Sequence, residues 1–208
     1  TGIKLANPHL VVIGFAGDGD AYGEGISHLV MSAKRNINVT MIVHNNRVYG
    51  LTTGQFTPTS PLGFRGRSTP RGSLEEPINP LEIMLASGAA FVARCYSGKI
   101  DHLVDVMKQA IAHRGFAFID VLQPCFTFFN TYKFYNKATY LMEDHDPTDL
   151  EAAYRRAREW QGQADGKIPL GIFYKVIKPT FDESVLRGRV PAGDSTIPDI
   201  TSILDTRR

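Results

Sequence analysis

The chain has 208 residues, of which 43% are hydrophobic and 21% charged, and its formal net charge is +2. This length allows one α/β domain with a real core, and no apolar run approaches the roughly 20 residues that a membrane-spanning helix needs. The small net charge points to neither a nucleic acid nor a membrane as a partner, and two cysteines without a visible signal peptide argue against a secreted disulfide scaffold, so we expect a cytoplasmic protein.

A βαβ unit is predicted at the start of the chain. Residues 10–15 form an apolar run that predicts a buried strand, residues 26–36 have a helical apolar period, and residues 39–43 predict a second strand. Gly17 and Gly19 allow a tight turn where the first strand ends. The chain begins without a methionine, in residues typical of a helix end, so we expect the whole protein to have a segment before it.

Strands and helices continue to alternate after a long loop. Residues 47–78 are rich in Gly, Pro, Thr, Ser and Arg, and loops of this length are usually functional or disordered. The later elements are expected, in chain order, to be a helix from Asn79-Pro80, a strand at residues 91–95, a helix over 99–114, a strand over 116–122, an exposed helix over 148–163 that carries Trp160, a strand over 170–176 and a tail over 179–208. The inward face of the helix over 99–114 is predicted to comprise Ile100, Leu103, Val104, Met107 and Ile111. Surface positions on helices are expected for His28, His102 and His113.

This alternation predicts an α/β fold, a doubly wound and mainly parallel sheet with helices on both faces. Residues 1–145 are expected to form the domain core, and residues 146–208 a C-terminal helix, strand and tail packed on the same domain or on a partner. The aromatic run over residues 126–135 lacks clean alternation. It is more typical of a segment packed on a partner subunit than of a cofactor pocket.

Polar residues follow the first two predicted strands. Asp18 follows one strand and Asn46 the next, and open α/β sheets bind ligands at this edge, where helix N-termini attract phosphate. Mg²⁺ prefers oxygen ligands and usually combines one or two carboxylates with substrate phosphates. Asp18, the Asn46 amide oxygen and a main-chain carbonyl just beyond it are therefore candidates for holding Mg²⁺ with a diphosphate. Two ordinary turns are the alternative interpretation, and the placement of both motifs at strand ends favours the metal site.

Gly17-Asp18-Gly19 followed by Asn45-Asn46 resembles the thiamine diphosphate signature, and further motifs narrow the resemblance. Through most of residues 1–176 the chain resembles the β subunits of 2-oxoacid:ferredoxin oxidoreductases, particularly the 2-oxoglutarate type. The motifs that carry this resemblance are Gly17-Asp18-Gly19-Asp20, Val48-Tyr49-Gly50-Leu51-Thr52 with Gly54-Gln55, Pro58-Thr59-Ser60-Pro61, Pro77-Ile78-Asn79-Pro80, Phe91-Val92-Ala93-Arg94, Gln123-Pro124-Cys125 and Gly171-Ile172-Phe173-Tyr174.

The resemblance implies a thiamine diphosphate site on this chain. Asp18, Asn46 and the main-chain carbonyl of Val48 would hold Mg²⁺, while Gly19 and Asp20 would contact the diphosphate side of the cofactor. The loop that would wrap the cofactor comprises Gly50, Leu51, Thr52, Thr53, Gly54 and Gln55. Many relatives have a lysine where this chain has Thr53, and a threonine offers no charge to a substrate carboxylate or a phosphate.

By the same resemblance, Cys125 would be one of four thiolate ligands of a 4Fe–4S cluster, with the other three upstream of the first strand. A packed thiol is the alternative for a lone cysteine. Cys95 matches no ligand position and is expected to lie in the core.

The activity that the resemblance implies is the CoA-dependent oxidative decarboxylation of a 2-oxoacid, with 2-oxoglutarate expected and electrons passing through the cluster to ferredoxin. The glutamate that activates the cofactor pyrimidine would lie on a partner α subunit, so no catalytic residue is assigned to this chain. Arg65, Arg67 and Arg71 in the long loop are solvated charges by default, or contacts for an acidic substrate or a CoA phosphate. The open alternatives are a pyruvate or broad-specificity enzyme of the same family, a non-redox thiamine diphosphate enzyme and a non-catalytic assembly subunit.

Overall fold

The computed structural model describes residues 1–163, 165–194 and 200–206, with only the backbone of Ile203. Its strands are β1 (Ile13–Gly17), β2 (Thr40–Asn45), β3 (Phe91–Tyr96), β4 (Ala117–Leu122), β5 (Thr139–Leu141) and β6 (Ile168–Lys175). They form one sheet in the order β1-β2-β4-β3-β6-β5, with β3 and β6 antiparallel and the other described pairs parallel. The predicted α/β fold with a mainly parallel sheet is confirmed.

Helices cover both faces of this sheet, as predicted. The helices are α1 (Gly2–Ala6), α2 (Ile26–Arg35), α3 (Pro80–Ala86), α4 (Ile100–Ala112), α5 (Tyr132–Ala138), α6 (Leu150–Ala157), α7 (Phe181–Leu186) and α8 (Thr201–Asp205), with a π-helical turn at Asp20–Glu24 and a 3-10 turn at Pro191–Gly193. Buried residues of α2, α3 and α6 share one core with the sheet, while α4 packs on the other face. Within the described part of the chain, no helix is long and apolar enough to cross a membrane.

The first strand departs from the prediction of a buried strand. β1 begins at Ile13, three residues later than expected, and the side chains of Val11 and Phe15 are 70% and 63% exposed. The physical reason is position, because β1 pairs with β2 alone and forms an edge of the described sheet. Every residue of β3 and β4 is buried, which matches their continuous apolar runs.

The predicted inward face of helix α4 is confirmed only in part, because Leu103 and Met107 pack against the core as expected and the other predicted residues do not. Val106 and Ala110 are its buried residues, whereas Ile100 and Val104 are 62% and 40% exposed. The alanine at position 110 lets the helix backbone approach the sheet closely, and hydrophobicity alone does not identify such a position. The expected surface position of His113 is also wrong, since this side chain is buried against Phe91 with the ring centres 5.4 Å apart.

The C-terminal third is more ordered than the predicted helix and tail. Helix α6 ends at Ala157, so the prediction of a helix that continues to residue 163 and carries Trp160 is wrong, and Trp160 lies beyond it with 3% of its surface exposed. The tail expected from residue 179 contains α7, whose Asp182 accepts a hydrogen bond from the Asn38 backbone at 3.0 Å. The expected boundary at residue 145 stays a prediction, although β6 pairs with the central strand β3.

Candidate functional site

The candidate site lies at the carboxyl ends of β1, β2 and β4. Asp18 directly follows β1 and is 2% exposed. Its Oδ2 accepts a hydrogen bond from the Thr59 hydroxyl at 2.8 Å, and its carboxylate also accepts from the backbone N–H of Asn46. The fold therefore brings Asp18 and Asn46 together, as the strand-end argument requires.

Asp18 carries a buried charge with no ionic partner in the described residues. The ion pairs among those residues include one buried pair, and it does not involve Asp18. Burial raises the pKa of Asp18 above its usual value, and hydrogen bonds from Thr57, Thr59 and two backbone amides offset only part of this effect. A carboxylate in this condition fits a divalent cation, because the cation would supply the missing positive charge.

A second buried carboxylate lies beneath the site, on strand β4. Asp120 accepts hydrogen bonds at 2.9 Å from the Tyr22 hydroxyl and from the side-chain amide of Asn45. Arg94 on the neighbouring strand β3 completes the cluster, with its Nε 3.2 Å from Asp120 Oδ2. No role was expected for these residues from the sequence, although a charged residue inside an apolar strand is a signal that could have found them.

The residues that directly follow β2, which include two of the three candidate metal ligands, form a tight turn. Asn46 Oδ1 accepts a hydrogen bond from the Val48 N–H at 3.1 Å, and Arg47 between them has a left-handed φ of 63°. The Arg47 side chain runs inward, where its Nε donates to the Thr59 carbonyl at 2.7 Å and its Nη2 to the Gly162 carbonyl. This turn brings the Asn46 side chain and the Val48 main chain onto the same short segment, as the proposed ligand set requires.

Two buried arginines flank the ring of Trp160. The guanidinium carbons of Arg47 and Arg94 lie 5.3 Å and 5.0 Å from the ring centre, close enough for cation–π attraction. Both arginines line a cavity of about 10 Å³, and Arg94 Nη1 has no protein hydrogen-bond partner. One water molecule needs about this volume, so the cavity suits a single water that accepts from Arg94. The contacts of Trp160 with these two arginines connect the segment after α6 to the turn after β2 and to strand β3.

Gly19 is required by a neighbouring tyrosine. A Cβ at position 19 would lie 2.2 Å from the Tyr49 ring, and the Tyr49 hydroxyl donates to the Gly19 carbonyl at 2.9 Å. From the sequence, this glycine was expected in a tight turn beside the diphosphate, and in the structure its close neighbour is Tyr49. Asp20 begins the π-helical turn and is exposed.

The candidate cofactor loop from Gly50 to Gln55 is a closed turn at the surface. Backbone hydrogen bonds join Tyr49 N–H to the Gln55 carbonyl at 2.8 Å and Gly54 N–H to the Tyr49 carbonyl at 3.0 Å. The residues Gly50, Leu51, Thr52 and Thr53 are exposed. Thr53 has a φ of 62°, and its hydroxyl accepts a hydrogen bond from Arg67 at 3.2 Å. A cation therefore does reach position 53, from the arginine-rich part of the same long loop.

Cys125 follows β4, and its backbone exchanges two hydrogen bonds with the backbone of Phe129. The N···O distances are 3.2 Å from the Cys125 nitrogen and 3.0 Å from the Phe129 nitrogen. Cys125 is partly exposed, whereas Cys95 is fully buried in β3 and burial raises the pKa of its thiol. The core position expected for Cys95 is confirmed. In the described ranges no three histidine, cysteine or acidic side chains gather into a group that could hold a metal ion. Of the two cysteines in this chain, Cys125 is thus the one that is partly exposed.

Comparison with known families gives two adjacent matches. Residues 1–121 match the C-terminal TPP-binding domain of thiamine pyrophosphate enzymes. Residues 124–187 match the C-terminal region of the pyruvate ferredoxin oxidoreductase β subunit. The first match contains Asp18, Asn46 and the whole long loop, and the second contains Cys125.

Several curated relatives are similar over most of this chain. The 2-oxoacid:ferredoxin oxidoreductase 1 subunit β of Aeropyrum pernix is 45% identical over 88% of this chain and 61% of its own length. The corresponding β subunit of Saccharolobus solfataricus is 42% identical over 84% of this chain and 60% of its own. The 2-oxoglutarate synthase subunit KorB of Methanothermobacter thermautotrophicus is 37% identical over 89% and 64%. The chain thus spans about three fifths of the length of these relatives.

A solved structure agrees with these relatives. The 2-oxoglutarate:ferredoxin oxidoreductase of Magnetococcus marinus, with 2-oxoglutarate, coenzyme A and succinyl-CoA bound, superposes with a TM-score of 0.86 at 36% identity. The superposition covers 100% of this chain and 71% of that one. The chain therefore belongs to the thiamine pyrophosphate enzyme family and, within it, to the β subunits of 2-oxoacid:ferredoxin oxidoreductases.

Proposed function

We propose that this chain binds Mg²⁺ and thiamine diphosphate in a 2-oxoacid:ferredoxin oxidoreductase that converts 2-oxoglutarate and CoA to succinyl-CoA and CO₂. The observation that carries the proposal is the buried Asp18 carboxylate, which lies beside Asn46 and forms no ion pair within the described residues, although the buried Arg47 interacts with it electrostatically. The resemblance to the 2-oxoglutarate-type relatives and to the substrate-bound M. marinus enzyme supports this substrate.

Asp18, the Asn46 amide oxygen and the Val48 carbonyl would hold the cation. A carboxylate, an amide oxygen and a main-chain carbonyl suit Mg²⁺, and diphosphate oxygens with water would complete six ligands. Asn46 Oδ1 has a second lone pair free for the cation while it accepts from Val48 N–H. Gly19 and Asp20 would face the diphosphate, and thiamine diphosphate would supply the nucleophilic carbon and the electron sink for decarboxylation.

The proposed wrapping role of the loop Gly50–Gln55 is supported by its exposed residues and by its closed turn. Gly50, Leu51, Thr52, Thr53, Gly54 and Gln55 surround a turn that two backbone hydrogen bonds close, which makes a concave surface for an anion. Thr53 brings no charge to this surface, and Arg67 reaches it instead. In the assembled enzyme the loop would orient the cofactor and limit the access of water.

The further parts of the enzyme would come from outside this chain. An α subunit would contribute the acid–base residue for the cofactor, ferredoxin would accept the electrons, and CoA would take the acyl group. Cys125 would supply one thiolate of a 4Fe–4S cluster, because it is accessible and lies outside the core, and the remaining three would lie elsewhere in the whole protein.

The activity is tested with the assembled α–β enzyme. Wild-type enzyme is expected to reduce a viologen dye with 2-oxoglutarate and CoA faster than with pyruvate and CoA. Asp18→Ala is expected to abolish this activity and the Mg²⁺-dependent binding of thiamine diphosphate measured by calorimetry, since a methyl group leaves the cation without its carboxylate. Unchanged cofactor affinity in Asp18→Ala would remove Asp18 from the metal site, and faster turnover of pyruvate by the wild type would defeat the 2-oxoglutarate assignment.

The cluster is tested separately through Cys125. Cys125→Ser is expected to lower the iron content of the full-length protein and to remove its low-temperature EPR signal in the reduced state, because serine is a poor ligand for this cluster. Cys95→Ala is the matched control and should keep both. Full iron and a normal signal in Cys125→Ser would return Cys125 to a packing role, and an iron-free wild type would favour a non-redox thiamine diphosphate enzyme.

A further inference from the structure

Thr59 lies between the candidate cation site and the buried cluster beneath it. It belongs to the motif Pro58-Thr59-Ser60-Pro61 in the long loop, and 3% of its surface is exposed. Its hydroxyl oxygen is 2.8 Å from Asp18 Oδ2 and 2.9 Å from Asn45 Oδ1. One side chain from a loop thus contacts residues from the ends of two adjacent strands, β1 and β2.

The neighbouring groups determine how this hydroxyl is used. Asn45 donates through its side-chain nitrogen to Asp120, so its oxygen must face Thr59. A flipped amide would place an oxygen against the Asp120 carboxylate, which is unfavourable. A hydroxyl has a single proton, and the charged Asp18 oxygen attracts it more strongly than the neutral amide oxygen does. The Thr59 proton therefore holds Asp18 by one carboxylate oxygen.

The main chain of Thr59 is held as firmly as its side chain. Its carbonyl accepts from Arg47 Nε at 2.7 Å, and Arg47 lies between Asn46 and Val48. The neighbouring Ser60 hydroxyl donates to the Arg47 carbonyl at 2.7 Å, and the same hydroxyl oxygen accepts a hydrogen bond from the Thr57 N–H at 2.8 Å. Residue 59 is thereby fixed relative to all three candidate metal ligands, the Asp18 side chain on one side and the turn after β2 on the other.

We propose that Thr59 is a positioning residue for the metal site, an inference that rests on the proposed function. Its hydroxyl donates to Asp18 Oδ2 and would thereby fix the orientation in which the carboxylate faces the cation. Its carbonyl, through Arg47, fixes the turn that presents the Asn46 and Val48 oxygens. Residues that hydrogen-bond to metal ligands usually change metal affinity by about 10- to 100-fold when they are replaced.

The test measures Mn²⁺ in place of Mg²⁺, because free Mn²⁺ has an EPR signal that disappears on binding. The assembled α–β enzyme is titrated with Mn²⁺ at a fixed excess of thiamine diphosphate. Thr59→Val, which keeps the shape but loses the hydroxyl, is expected to weaken Mn²⁺ binding by about tenfold. Thr59→Ser keeps the hydroxyl and should stay within about threefold of wild type on the same scale. Thr69→Val is the matched control, since Thr69 is in the same loop and donates to the Phe64 carbonyl away from the site.

The outcomes separate this inference from the proposed function. Wild-type enzyme that binds neither Mn²⁺ nor thiamine diphosphate would defeat both. Normal binding by the wild type and equally tight binding by Thr59→Val would overturn the role of Thr59 alone, as would a loss of affinity in Thr69→Val of the same size. Should Thr59→Val fail to fold, Thr59→Cys, whose thiol is a weak donor, is measured in its place against Thr59→Ser, and equal affinities of these two variants would overturn the inference.

Discussion

Two carboxylates are buried at the same edge of the sheet, and they differ in how their charge is balanced. Asp120 is fully buried and has Arg94, Tyr22 and Asn45 around it, all from this chain. Asp18 is nearly as buried, but within the described residues it accepts from hydroxyl and amide donors and forms no ion pair, with Arg47 acting on it only at longer range. The Asp120 cluster is complete in charge, although Arg94 Nη1 has no protein hydrogen-bond partner, whereas the Asp18 carboxylate is incomplete because no ion pair balances it.

This difference distinguishes Asp120, which supports the structure of the site, from Asp18, which is the candidate for binding the cation. Removing a charge from water without a counter-charge is costly, and a folded protein keeps such a group only where something else stabilises it or where it has a function. Asp120 and Arg94 satisfy one another and join β3 to β4 below the site. Thr59 contacts both Asp18 and Asn45, and Asn45 donates to Asp120, so the charge-balanced cluster lies directly against the residues that hold Asp18.

The largest expected effect is the loss of stability on breaking the complete cluster. Asp120→Asn leaves the Arg94 charge buried without a partner, and removing one member of a buried ion pair usually costs about 3–5 kcal/mol. We expect a loss of that size in the free energy of unfolding of the full-length protein, measured by urea unfolding with circular dichroism.

The double variant Asp120→Asn/Arg94→Met sharpens this prediction. Because it removes both charges, it should recover much of the stability that the single variant loses. A single variant as stable as wild type would mean that the Asp120 charge is balanced by something other than Arg94, and the contrast with Asp18 would then fail.

The next largest expected effect comes from replacing Asp18, which should remove the stabilisation of the protein by Mg²⁺ and thiamine diphosphate. Burial raises the pKa of Asp18, so its charged form disfavours the metal-free fold. Asp18→Asn removes that charge and should leave the metal-free protein at least as stable as wild type. At ligand concentrations about 100 times Kd, Mg²⁺ with thiamine diphosphate should stabilise wild type by about 2.7 kcal/mol and leave Asp18→Asn unchanged.

Thermal unfolding of both proteins with and without the ligands measures this contrast. The pH dependence gives a second check, and its sign follows from the raised pKa. The metal-free wild type should lose stability relative to Asp18→Asn as the pH rises from the ordinary aspartate pKa through the folded one. A metal-free Asp18→Asn protein that is several kcal/mol less stable than wild type would show that Asp18 is a structural residue like Asp120.

The sequence predicted the edge that carries the site but not what holds it together. Asp18 and Asn46 follow from local patterns, a short glycine turn and a polar pair after apolar strands. The pairing of Arg94 with Asp120 depends on strands β3 and β4 being neighbours in register, which no local pattern encodes. Thr59 and Arg47 come from a loop without periodicity, so their contacts depend on the folded path of that loop.

The smaller differences have equally physical origins. The apolar period of α4 indicated a helix correctly, but an alanine sets its contact with the sheet, so the predicted inward face was partly wrong. Residues 10–15 are apolar enough for a buried strand, yet β1 lies at the edge of the described sheet. Patterns of hydrophobicity report the kind of element more reliably than they report its neighbours.

The smallest expected effect concerns the exposed candidate cofactor loop, where an arginine contacts Thr53. Of the three loop arginines, Arg67 is the one that donates to Thr53, at 3.2 Å, while Arg65 and Arg71 are exposed in the same loop. A dicarboxylate in a closed site needs a cation for its distal carboxylate, and Thr53 carries none. We therefore expect Arg67→Ala to raise KM for 2-oxoglutarate about tenfold, roughly 1.4 kcal/mol, with pyruvate turnover nearly unchanged. Steady-state dye reduction with each substrate measures this change in KM, with Arg65→Ala and Arg71→Ala as matched controls.

If all three variants behave like wild type in an enzyme that prefers 2-oxoglutarate, the distal carboxylate is recognised by the α subunit. This chain then contributes the cofactor site without the charge that binds the substrate.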